Sequence, residues 1–129
     1  MCLEQIKPFE GRPPAYGWKV VIQINHPSHF QCQFFDCLLT VNEWNVAGEL
    51  ELDPEELSTS KRIDLDPEHE GLFSVFAYKK DAKEWLRKEY CLRVIKVMLK
   101  GVRKVGYQQS LGGNKLRCYL VEQIKPITR

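Results

Sequence analysis

The chain has 129 residues, 43% of them hydrophobic and 28% charged, with a formal net charge of +2. That length accommodates a single domain over 1–129 with a core of its own, and the composition excludes a disordered or fibrous chain. No apolar run is long enough to cross a bilayer as a helix, and the start lacks the charged-then-apolar layout of a secretory signal. The expectation is therefore an intracellular, cytoplasmic protein with no membrane partner.

The near-neutral total conceals an uneven layout. Residues 1–70 hold 5 Lys and Arg against 13 Asp and Glu, whereas residues 71–129 hold 14 against 4. Two arrangements produce such a split: acidic loops that fold against the basic half, or a basic face kept open for an anionic partner. Five cysteines (Cys2, Cys32, Cys37, Cys91, Cys118) make an odd number without framework spacing, which reads as reduced thiols in a reducing compartment.

Taken in order, the chain begins with an extended lead-in over 1–17, whose Pro13-Pro14 pair and two glycines rule out regular structure in 9–17. The pentapeptide Glu4-Gln5-Ile6-Lys7-Pro8 recurs at 122–126. Such an echo fits one unit of a tandem array, two terminal strands lying near each other, or coincidence. Alternation in 18–25 (Val20, Ile22, Ile24) and in 30–40 (Phe30, Cys32, Phe34) predicts two strands, joined as an antiparallel hairpin by the short 26–29 connection. Residues 41–48 form a turn-rich loop that either pins Trp44 at the core edge or offers it to a ligand.

A brief strand is expected at 49–53. Asp53-Pro54-Glu55-Glu56 then supplies an N-cap, a proline at the first helical position and acids in the first turn, predicting a short helix over about 54–60. A further segment over 61–67 and an acidic turn over 66–71 lead to a strand at 73–78, apolar on both faces as a central strand should be.

Asp81 precedes an apolar-periodic run, with Glu84 three residues on, the spacing of a capping box. Ala82, Trp85, Leu86 and Tyr90 then share one face, which predicts the main helix over about 81–90. Ile95, Val97 and Leu99 alternate with Lys96, Met98 and Lys100, predicting a strand over 91–100. Leu92, Ile95, Met98 and Leu99 also fit a helical stripe, so one helix from Asp81 to about Lys100 is the competing assignment. Strands at 102–111 and 115–124, joined through Gly112-Gly113-Asn114, complete the chain as a hairpin.

The order is β-β-(short α)-β-α-β-β-β. It predicts an α+β fold: a mostly antiparallel sheet of five to six strands, with one main helix over about 81–90 packed on one face and one short helix over about 54–60.

Chemistry is sparse. His26, His29, Cys32 and Cys37 have zinc-type donors at short spacing and form the one candidate metal site, although alternation places Cys32 among apolar strand neighbours. No cofactor is otherwise indicated. Pairings of His69 with Cys91 or Cys118, or of His26 with Cys37, supply the elements of a thiol nucleophile without a local signature. Paired carboxylates in 55–70 read as a solvated acidic surface, and Asp64-Leu65-Asp66 lacks the spacing of a calcium loop. No P-loop, dinucleotide fingerprint or nucleophile elbow is present.

The basic strands carry the strongest functional signal. Lys96, Lys100, Arg103, Lys104, Lys115 and Arg117 lie on consecutive strands with Tyr107, a pattern of cations and an aromatic that suits a phosphate backbone. The function expected is a binding or interaction module with a nucleic acid or acidic protein partner, rather than an enzyme. A small enzyme with a site between the Trp44 loop and the main helix is the alternative, and a repeat unit is a third.

Overall fold

The computed structural model describes residues 3–22, 29–32, 38–46, 72–86, 92–110 and 112–127. These form strands β1 (Glu4–Pro8), β2 (Tyr16–Ile22), β3 (His29–Cys32), β4 (Leu38–Thr40), β5 (Asn45–Val46) and β6 (Phe73–Phe76), helix α1 (Lys79–Trp85), and strands β7 (Leu92–Gln109) and β8 (Lys115–Pro126). The described residues are thus mostly β with one helix, a more sheet-rich molecule than the α+β expectation. All eight strands belong to one antiparallel sheet. The expected short helix at 54–60 lies outside the described residues.

The sheet closes on itself. β7 pairs with β8, β8 with β6, β6 with β2, and β2 again with β7. Each of these four strands therefore has both edges engaged. β6 and β7 both run antiparallel to β8, so α1 joins two parallel strands with β8 inserted between them. β3 and β4 extend the sheet beyond β2, and β5 lies on β8.

Alternation then divides the side chains between two cores. Val21, Phe73, Val75, Ile95, Val97, Leu99, Val121 and Ile124 point into the ring, joined by Phe30 and Leu39. Val20, Phe76, Leu116, Cys118 and Leu120 point outward, where Ala82 of α1 covers them and Trp85 packs alongside. Trp85 and Phe76 are tilted ring neighbours at 6.4 Å. Burying both faces explains why β6 is buried throughout and apolar at three of its four positions, since Phe73, Val75 and Phe76 each fill one of these two cores.

One strand runs where two were expected. β7 continues through Gly101, which takes φ +74° and lets the strand bend. The register confirms a bulge: Val102 opposes Val121, whereas Lys104 opposes Leu120, leaving Arg103 as the extra residue. Inward positions step by two through Ile95, Val97 and Leu99, and the next is Val102; on β8 the step from Val121 leads to Ile124. A spacing of three inside a strand marks where the ribbon turns over.

Several boundaries differ from those expected. The 1–17 lead-in contains β1, paired antiparallel to residues 104–107 of β7. The predicted strand over 30–40 is two strands, β3 and β4, paired with each other. Helix α1 starts two residues before Asp81; its N-cap is Tyr78, with no side-chain hydrogen bond, so the capping box does not form. It stops at Trp85 because Leu86 is already extended (ψ 104°), and the alternative of one helix to Lys100 fails because β7 begins at Leu92.

The repeated pentapeptide has a structural outcome. Both copies are strand and both lie antiparallel to β7, the first against residues 104–107 and the second against residues 97–100 on the opposite edge. Ile6 of the first copy packs on the outer core, while Ile124 of the second is fully buried in the ring.

Candidate polyanion-binding face

β7 carries the face. From Leu92 to Lys100 its outward side chains are Leu92, Val94, Lys96, Met98 and Lys100. The first two lie in the outer core with α1, whereas Lys96 and Lys100 are exposed beyond it. Register builds the rest across neighbouring strands: Tyr16 of β2 opposes Met98 on one edge, and Lys125 of β8 opposes Met98 on the other. Cα partners in a ladder share a face. Tyr16, Met98 and Lys125 therefore form a row across three strands, with Lys96 and Lys100 above and below it.

Trp44 closes the row. It precedes Asn45, which opposes Ile124, so its own place is beside Lys125. Asn45 fixes that turn from within. Its buried amide accepts from Thr40 N (2.9 Å) and donates to Thr40 O (3.0 Å), Glu43 O (2.9 Å) and Ile124 O (3.4 Å).

Lys96 and Lys100 each rest on a ring. Lys96 Nζ lies 4.3 Å from the centroid of Tyr16, and Lys100 Nζ lies 4.4 Å from that of Trp44. Both distances are within cation–π range. Tyr16 is 42% exposed and, with Tyr78, one of two exposed large hydrophobic side chains among the described residues. No carboxylate pairs with Lys96, Lys100 or Lys125 among the described residues.

The remaining residues of the expected basic site fall elsewhere. Arg103, at the bulge, is ion-paired to Glu122. Lys104 opposes Leu120 and is engaged in contacts of its own. Tyr107 opposes Arg117, and Lys115 opposes Gln109, so these three share a second face beyond the Gly101 bend. There Arg117 lies over the Tyr119 ring at 5.6 Å, and Lys115 donates to Gln5 Oε1 at 3.3 Å. Five of the seven predicted residues are thus split between two faces, and Arg103 and Lys104 lie at the bulge between them. Sequence reasoning missed Tyr16 and Lys125, and it noted Trp44 without linking it to Lys100. Only strand register brings these residues together.

The other candidates yield less. Of the four zinc-type donors, His26 and Cys37 lie outside the described residues, while His29 and Cys32 are the first and last residues of β3. His69 and Cys91 also lie outside. Cys118 is fully buried, and burial pushes its thiol up from 9.0 to about 12, against a lowering influence of Lys19. A thiol so protonated is no nucleophile at neutral pH. A concavity of about 370 Å³ beside α1 is lined by Lys80, Asp81, Glu84, Asn114, Lys115 and Leu116, so the Trp44 loop is not part of it. Within it Glu84, free of any capping role, accepts from Asn114 Nδ2 at 2.9 Å.

In comparisons with known proteins, no family model, no curated protein and no solved structure matches the chain.

Proposed function

We propose that this protein is a binding module whose basic sheet face takes a polyanionic partner. The observation that carries the reading is the grouping of Lys96, Lys100 and Lys125 on one face of β7 and β8, without a carboxylate partner among the described residues. Ammonium groups on an outward sheet face create a positive potential that attracts anions and raises their rate of encounter. Their contribution weakens as salt screens them. Arg103, by contrast, is neutralised by Glu122 and adds little to that potential.

A salt series on immobilised heparin tests this. The protein is expected to bind at low salt and elute as salt rises. The triple variant Lys96→Ala/Lys100→Ala/Lys125→Ala should elute distinctly earlier. Lys83→Ala, which removes an exposed charge from α1, should shift elution far less. Absence of retention at low salt overturns the reading, as does equal loss in the Lys83 control.

A further inference from the structure

Resting on the reading just given, we infer that the Tyr16–Lys96–Lys100–Trp44 face binds single-stranded nucleic acid, with bases stacked on the two rings and phosphates held by Lys96, Lys100 and Lys125. The argument starts from what a simple polyanion site would need. Heparin or an acidic peptide requires cations alone. Here Lys96 is matched with the Tyr16 ring of β2 and Lys100 with the Trp44 ring of the turn before β5, and the rings sit at the two ends of one row.

Spacing fits an extended strand of nucleotides better than a compact anion. Lys96 and Lys100 are four residues apart on one strand, about 13 Å. Tyr16 and Trp44 are separated by the width of β7 and β8, on the order of 14 Å. A single strand can lay successive bases on the rings while its backbone passes the ammonium groups. A duplex cannot, because its base faces are covered by stacking and only its phosphates are offered.

The lysines now covering the rings do not block this. An exposed ammonium over a ring is a weak attachment, and base stacking on the same ring is stronger. A base that displaces Lys96 from Tyr16, or Lys100 from Trp44, frees that ammonium for the adjoining phosphate. Both groups gain a better partner in one movement of a flexible side chain.

The test measures anisotropy of a labelled oligothymidylate, a duplex of the same length and labelled heparin with the full chain. Tyr16→Ala and Trp44→Ala should each weaken oligothymidylate binding by about 5- to 150-fold, the range set by loss of one stacked base. Heparin affinity should change less than about twofold in both. The logarithmic salt slope for oligothymidylate should be about −2, as expected for three phosphates neutralised on a single strand. Tyr16→Phe should retain binding, and Trp44→Phe should retain binding while removing the fluorescence quenching that a base on Trp44 produces. These two conservative variants guard against loss through misfolding. Equal binding of duplex and single strand, or ring variants without effect, overturns the stacking site while leaving the polyanion reading intact. If neither heparin nor oligothymidylate binds at low salt, the polyanion reading itself fails.

Discussion

Gly101 shows how much one residue decides. Its φ of +74° lies where a side chain is strained, and a Cβ built there would meet Glu122 Oε2 at 2.5 Å and Glu122 Cβ at 2.9 Å. Gly101→Ala is therefore expected to destabilise the fold by about 1–3 kcal/mol, combining backbone strain with the displacement of Glu122 from Arg103. Urea unfolding of the two proteins measures it, and an unchanged midpoint would contradict the bend. Cys118 gives a second test at this scale. Its thiol stays protonated in the folded protein to about pH 12 because it is buried, whereas an unfolded thiol ionises near 9.0. Between those values the unfolded chain has released a proton that the folded chain keeps. Stability contributed at this position is complete below pH 9 and falls by about 1.4 kcal/mol per pH unit above it. Cys118→Ala removes that dependence. The stability gap between wild type and Cys118→Ala should shrink by about 2 kcal/mol between pH 9 and pH 10.5, read from urea melts at each pH.

Among the elements, α1 is the one left incomplete. Tyr78 has the extended backbone of an N-cap (φ −129°, ψ 140°) but no side chain that can accept a hydrogen bond from the first turn, and it is 51% exposed. Lys79 and Lys80 place positive charge at the positive end of the helix dipole. Tyr78→Asp should stabilise the protein by about 0.5–1 kcal/mol through the missing cap and a better charge. Thermal unfolding should show a rise of a few degrees, and a fall would show that Tyr78 matters more through its contact with Lys80. This element also shows how far sequence reading reached. The stripe of Ala82 and Trp85 identified the helix and its buried face, because periodicity reports burial. Its start was misplaced because Asp81 and Glu84 have the spacing of a box that tertiary contacts pre-empt: Glu84 faces Asn114, thirty residues away in sequence. The β7–β8 hairpin was legible from Gly112, Gly113 and Asn114, whereas the continuity of β7 through Gly101 was not. A glycine between alternating runs signals equally a turn or a bulge.

At the scale of the whole molecule, what escaped the sequence is the closure. Alternation tells each strand which side chains it will bury and says nothing of which strand it will meet, so neither the ring nor the row from Tyr16 to Trp44 could be read from it. The ring closes on β2, which pairs with β7 on one edge and with β6 on the other. Gly17 sits at that seam. A Cβ there would lie 3.0 Å from Val75 Cγ2, 3.2 Å from Phe76 O and 3.3 Å from Leu99 Cδ1, contacts drawn from both neighbouring strands. Those atoms belong to fully or nearly fully buried residues, which have little room to yield. Gly17→Ala is thus expected to destabilise by about 1–2 kcal/mol, within the range of overpacked cores, and Gly17→Val by more. Hydrogen exchange distinguishes a seam from an ordinary crowded site. A ring strand cannot leave without breaking pairings on two edges, so amides of β2, β6 and the first half of β7 should exchange together, through one opening event. Lowering stability at Gly17 should accelerate all three by a common factor. β1, paired on β7 alone, should exchange faster than these in wild type and change least in the variant. If acceleration is confined to β2, the strands are neighbours in a sheet that opens one edge at a time, and the closed ring does not act as a unit.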